Sequence, residues 1–154
     1  MLHLYATIEG GGSYSASTIP VCRAHTVQEI AECLASIEHA CRLAPHHVLY
    51  CKGGAIKSFC MFVPGVTPSW EDTALRGTGA VVRVESVNVS ALKLFKTLVA
   101  ILTTVPDLLG ARLVVERDGT LRTEAWCRGP GVPWEAVERV LDPGGGLRTR
   151  VSRT

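Results

Sequence analysis

Charge is scarce in this sequence and almost none of it is in excess. Asp, Glu, Lys and Arg make up 19% of the 154 residues and leave a formal net charge of +2. A broad electrostatic footprint for duplex nucleic acid is therefore missing, and any nucleic-acid role must rest on a local pocket. No uninterrupted apolar run reaches the length of a membrane span, and residues 1–9 include Glu9 and lack the apolar core of a leader. A protein of the cytosol or nucleus that does not engage membranes is expected. None of the six cysteines forms a CxxC pair. Cys22, Cys33, Cys41, Cys51, Cys60 and Cys127 lie mostly in apolar segments, as suits reduced thiols used as small core residues. The nearest approach to a metal set, His39, Cys41, His46, His47 and Cys51, matches no zinc spacing, and His39 and Cys41 fall on different faces of a helix. Gly10-Gly11-Gly12-Ser13 is followed by no Walker lysine, which leaves a loop rather than a phosphate cradle. With no nucleophile–base pair in view either, neither metal, cofactor nor catalysis is expected.

What is present is a hydrophobic share of 47% without repeat or linker, which points to one domain over residues 1–154 with a substantial core. Leu2–Glu9 and Thr18–Ala24 are short β-rich runs. Thr26-Val27-Gln28-Glu29 has the spacing of a capping box, so a helix of about four to five turns should begin after Thr26 and end before Pro45. Val27, Ile30, Leu34, Ile37 and Cys41 recur along it at three- and four-residue steps and form the expected buried stripe. Val48–Cys51 and Ile56–Val63 read as strands around Lys52-Gly53-Gly54, and Ala80–Val84 as another. Ser90 to Val105 is a second amphipathic helix with Leu92, Phe95, Leu98, Val99 and Leu102 on its apolar half. A last helix, Trp134–Leu141, anchored by Trp134, is stopped by Pro143 and the glycines after it, and Leu147–Val151 can return as an edge strand.

Ala111–Arg117 and Thr120–Cys127 flank Asp118-Gly119, a hairpin signal. A two-residue loop there pairs Arg117 with Thr120 and puts Arg117, Arg122 and Trp126 on one face. The loop run Val66-Thr67-Pro68-Ser69-Trp70-Glu71-Asp72 adds a second indole and a carboxylate. Two aromatic faces, one carboxylate and two guanidiniums are the chemistry needed to hold a positively charged guanine base with a phosphate tail. Each residue also has an ordinary role. Trp70 and Glu71 can be a packed surface pair, Trp126 a core aromatic, and the arginines a solvated hairpin face.

The run Phe62–Asp72 resembles the signature of the eukaryotic translation initiation factor 4E family around its second stacking tryptophan and the adjoining glutamate. The spacing from Tyr14 through Thr26-Val27 to Pro45 is similar to that of the family's first aromatic stacker, first helix and helix end. Arg117, Arg122 and Trp126 keep the relative spacing of the family's two phosphate-binding basic residues and its cap-methyl-contacting tryptophan, and Glu135-Ala136-Val137 resembles the start of its last helix. The resemblance implies an α+β fold: a curved, mainly antiparallel sheet with about three helices on its convex face and a cap slot on the concave side. It implies binding of the 7-methylguanosine triphosphate cap of mRNA. Tyr14 and Trp70 would stack on the base, Glu71 would recognise guanine, Trp126 would meet the methyl group, and Arg117 and Arg122 would hold phosphates. On the glycine-rich loop the register can slip, so Tyr5 or Tyr50 is an alternative to Tyr14.

The resemblance also places a scaffold or repressor protein on the first helix, around Val27, Ala31 and Leu34. Ala31 stands where the family displays a tryptophan, so a non-standard partner is expected. A tyrosine as first stacker resembles the family's cap-binding translational repressors. Initiation, repression, and a protein-interaction subunit that has lost cap binding are the three roles these residues leave open.

Overall fold

Among the described residues, ten elements are joined through one sheet or packed on it. The computed structural model describes residues 1–9, 17–44, 47–68, 79–86, 90–128, 132, 134, 135, 137 and 147–153, with 79–86 and 147–153 described by backbone alone. In chain order they are β1 (Leu2–Ile8), β2 (Thr18–Ala24), α1 (Val27–Leu43), β3 (Tyr50–Cys51), β4 (Gly54–Phe62), β5 (Gly79–Ser86), α2 (Ala91–Ile101), β6 (Leu108–Val115), β7 (Leu121–Arg128) and β8 (Leu147–Arg153). The sheet is curved. Its order is β2-β1-β4-β6-β7-β5-β8, with β3 hairpinned onto β4, and every pairing is antiparallel. The expected α+β architecture is the one observed, with two helices in full among the described residues. Of the expected third helix, Trp134, Glu135 and Val137 are helical and Trp134 packs against the core; its other residues lie outside those described.

Local chemistry sets the element ends. Thr26 Oγ1 accepts from the Glu29 amide at 3.1 Å, and the Glu29 carboxylate accepts in return from the Thr26 and His25 amides, which closes the capping box and starts α1. The His25 amide, more than any other neighbour, holds the Glu29 carboxyl below the usual carboxylate range. Ser90 caps α2 by accepting from the Lys93 amide at 3.2 Å. Lys96 of α2 donates to Glu38 of α1 at 2.6 Å, so the two helices are joined to each other as well as to the sheet. Between β3 and β4 the turn is Lys52-Gly53, both at positive φ (46° and 82°), with Cys51 pairing Gly54. This is the primed two-residue turn whose twist matches flanking strands, and it hands Gly54, expected in the turn, to the strand.

Alternation along the strands gives the sheet two different faces. Leu2, Leu4, Phe59, Met61, Ala111, Leu113, Ala125 and Cys127 point to the helical side and are closed over by Ile37, Cys41, Leu94, Phe95, Leu98 and Val99. Burial pushes the thiols of Cys41 and Cys60 up to about 11 and that of Cys127 up to about 12, so these cysteines are inert packing groups. Two expectations about the helices need correction. On α2 the buried stripe includes Leu94, with Leu92 only partly covered. On α1 only Ile37 and Cys41 are buried, while Val27 is 84% exposed. Among the strands, α1 makes its main contact with β2, which is at the edge of the sheet, and Val27 is in the first turn of that helix. Cys22 is another departure: it is exposed on β2, with its Sγ 3.5 Å from that of Cys33 on α1.

The opposite, concave face carries a smaller apolar cluster of Cys60, Phe62, Val66, Leu109 and Trp126, with Tyr5 beside it. Gly110 makes that cluster possible, because a Cβ there would lie 2.6 Å from the Phe62 ring. Gly110→Ala is therefore expected to cost about 1–3 kcal/mol by overpacking, read as a lower urea midpoint at unchanged slope. An unaltered midpoint would show that Phe62 does not rest on Gly110.

Candidate functional site

The β6–β7 hairpin builds the concave face. Its register sets Gly110 opposite Trp126, Arg112 opposite Glu124 and Val114 opposite Arg122. Because side chains alternate, Arg122, Glu124 and Trp126 share the face that turns away from the helices. On the neighbouring strand, Phe62 pairs Gly110, Cys60 pairs Arg112 and Ser58 pairs Val114, and these extend the same face across the sheet.

The hairpin does not close as the two-residue loop expected. The Glu116 amide donates to the Thr120 carbonyl at 2.9 Å and the Gly119 amide to the Glu116 carbonyl at 3.0 Å, so Glu116 opposes Thr120 and three residues form the turn. Gly119 alone there has positive φ, at 85°. A two-residue turn of the primed type needs positive φ at Asp118 as well; instead the Asp118 carboxylate accepts from the Thr120 amide at 2.9 Å. Bonds from Thr120, its side chain first, hold the Asp118 carboxyl below the usual range. Arg117 is thereby moved from the strand to the turn.

At the centre of the face is Glu124, 7% exposed. Its Oε1 accepts from Arg112 at 3.3 Å and from the Trp126 indole N–H at 3.3 Å, and its Oε2 from Arg122 at 2.5 Å. Arg122 also gives its Nε to Glu116 at 3.3 Å, and Arg112 gives its Nε to Ser58 Oγ at 3.0 Å, which in turn bonds Thr7. Two guanidiniums and two carboxylates thus form one continuous ion-pair chain. Beside it runs an aromatic row. The Phe62 and Trp126 rings meet edge to face at 5.5 Å and 75°, and Tyr5 meets Phe62 at 6.5 Å and 86°. His3 continues the row 6.4 Å beyond Tyr5. Burial first, then Arg23, His25 and the N-terminus, lower the pKa of its imidazole.

Of the residues expected in the site, the structure brings Arg122 and Trp126 together through Glu124. Trp126 is 1% exposed, a floor rather than an open plate. The Arg117 side chain is 93% exposed, its Nε 3.8 Å from Glu9. An open depression of about 730 Å³ adjoins the face, with Lys57, Arg112, Arg117 and Arg122 of one sign around it and Glu9, Glu116 and Asp118 of the other. Tyr14, Trp70 and Glu71 lie outside the described residues. Of the alternatives to Tyr14, Tyr5 is on the concave face and Tyr50 is 68% exposed on β3. On α1, Val27 and Ala31 are exposed and Leu34 is half-buried. Among the described residues, no group of three or more His, Cys, Asp and Glu side chains is arranged to hold a metal, and no helix is long and apolar enough to cross a membrane.

Sequence reasoning missed Arg112, Glu116 and Glu124. A signal was there: Glu124 falls between Arg122 and Trp126 on a period of two, and a charge amid strand residues as apolar as those around Arg112 needs an opposite charge nearby.

No protein-family model matches the chain, and no curated protein matches it in sequence. Solved structures do. Schistosome eIF4E complexed with m7GpppA and 4E-BP is similar at a TM-score of 0.66 and 13% identity, over 97% of this chain and 84% of that one. C. elegans eIF4E-3 with the 4E-binding protein Mextli and a cap analog is similar at 0.62 and 17%, over 97% and 88%. Ascaris suum eIF4E-3 with the m2,2,7G cap is similar at 0.62 and 16%, over 99% and 89%. At these identities the likeness is one of architecture, and the chain has the eIF4E fold.

Proposed function

We propose that this chain binds the 7-methylguanosine 5′ cap of mRNA on the concave face of its sheet, without catalysis, as a cytoplasmic factor in translation or its regulation. The observation that carries the reading is the alignment of Arg122 and Trp126 on one face of β7, opposite the helices, in a fold shared with cap-bound proteins. Methylation at N7 gives guanine a delocalised positive charge, so stacking on an aromatic face gains about 0.5–2 kcal/mol beyond apolar burial. Trp70 and Tyr14 supply those faces. Glu71, ionised, accepts from the guanine N1–H and exocyclic amine, a donor pair adenine lacks. Trp126 closes the floor of the slot where the methyl group lies. Arg122, with Arg117 at the rim, meets the phosphates through its planar fork of donors.

The first helix favours a role apart from ordinary scaffold recruitment. Val27 and Ala31 are exposed there, and no indole stands at position 31 to receive a partner peptide. Aromatic anchors dominate such interfaces, and truncating one costs about 2 kcal/mol or more. A cap-binding repressor fits this surface better than an initiation factor.

Three outcomes test the proposal. Trp70→Ala should lose retention on immobilised 7-methylguanosine nucleotide, with a penalty of about 1–3 kcal/mol for one stacking face and an unchanged circular dichroism spectrum; retention equal to the parent's would remove Trp70 from the slot. Arg122→Ala should remove the parent's preference for 7-methylguanosine triphosphate over the methylated nucleoside and leave the nucleoside itself nearly unchanged, since the side chain acts on phosphate. Equal losses in calorimetry would place Arg122 elsewhere. A consensus scaffold peptide should bind the parent weakly or not at all and Ala31→Trp measurably; tight binding by the parent would show ordinary recruitment.

A further inference from the structure

Neither guanidinium of the concave face is held away from negative charge. Arg122 is engaged by Glu116 on its Nε at 3.3 Å and by Glu124 at 2.5 Å, and Arg112 shares Glu124 at 3.3 Å. Two positive charges are matched by two negative ones before any ligand arrives. A phosphate approaching Arg122 must displace a carboxylate or lie beside one, and either outcome takes back part of what the guanidinium offers. The two acids are not equivalent. Glu124 is buried, bonded to both arginines and to the Trp126 indole, so its removal strands buried charge and loosens the floor. Glu116 is at the hairpin rim, its side chain 48% exposed, and among the described residues its ion pair is with Arg122.

We propose that Glu116 is a specificity-determining residue that restrains the phosphate preference of this site, so that its ligand is a methylated guanosine whose phosphate chain adds little to binding. This rests on the cap-binding reading for the base and on the ion-pair geometry for the phosphates. Glu124 positions Arg122; Glu116 competes with phosphate for it. The depression beside them carries Lys57 and Arg117 against Glu9 and Asp118, so no surplus of positive charge around the rim overrides the competition.

The test is calorimetry on the full chain at several salt concentrations, with 7-methylguanosine, its triphosphate, and inorganic triphosphate as separate probes. The parent should favour the triphosphate over the nucleoside only modestly and with a shallow salt dependence. Glu116→Gln keeps the shape and drops the charge. It should bind both triphosphates about three- to fivefold more tightly, as expected for freeing one partly exposed ion pair, with the nucleoside unchanged. Glu9→Gln makes the same change of charge on the same depression but relieves Arg117, and should gain less. Equal gains from the two variants, or none from Glu116→Gln, would overturn the assignment even where the nucleoside binds. Failure of the nucleoside to bind while Glu116→Gln still gains inorganic triphosphate would sink the base reading and leave Glu116 in its role. A parent that binds no probe, with no gain in Glu116→Gln, would overturn both.

Discussion

A carboxylate shut away from water in the middle of a sheet is the constraint to which the rest of the concave face answers. Burying such a charge without partners is prohibitive, and breaking a buried pair by deleting one member costs about 3–5 kcal/mol. Glu124 meets the requirement with Arg112 across the hairpin, Arg122 two residues before it and the Trp126 indole two residues after it. Each bond fixes a group that the proposed site uses. The indole plane is set by its N–H, and the Arg122 fork is aimed along the face by its two acids. Side-chain alternation does the rest, sending Thr123 and Ala125 to the helices while their neighbours stay with the network.

The two faces divide the work. On the helical side, α2 lies over β6 and β7, and Thr123 donates to the Ala91 carbonyl at the start of that helix at 2.6 Å. The hairpin that presents Arg122 and Trp126 is thereby backed by the buried core under α2, as a preorganised binding face requires. Gly110 lets the Phe62 ring lie flat enough on β6 to meet Trp126 edge to face. A floor so closely packed cannot itself grip a ligand from both sides. Other residues must supply the stacking planes, the role proposed for Tyr14 and Trp70, with Trp126 as support.

Local signals in the sequence were enough for the elements that local chemistry decides. The Thr26–Glu29 capping box located α1, β2 begins and ends where its β-rich run does, and Asp118-Gly119 marked a hairpin. Where two local solutions compete, the reading slipped. Asp118 satisfies its neighbour Thr120 through its side chain and stays out of positive φ, which lengthens the turn and lifts Arg117 from the strand. Lys52 does the opposite and adopts positive φ, which no propensity argument would favour. Val27 has the spacing of a buried residue, but its burial depends on how far the sheet extends beneath α1. Strand order was the least legible feature: β5 enters between β7 and β8, a fact of long-range pairing. The Arg112–Glu124 pair was hidden for the same reason, since its members are twelve positions apart and only the register joins them. Tyr14, Trp70 and Glu71, the residues that the family resemblance weights most, fall outside the described structure, so for them the sequence remains the argument.

The central claim is that the concave face recognises the positive charge of an N7-methylated guanine. The most direct measurement is a calorimetric comparison of 7-methylguanosine monophosphate with guanosine monophosphate, which differ in the methyl group and its charge alone. The account predicts binding of the methylated ligand and a loss of about 0.5–2 kcal/mol or more per stacking face for the other. Equal affinity for the two, or binding of neither, would contradict it.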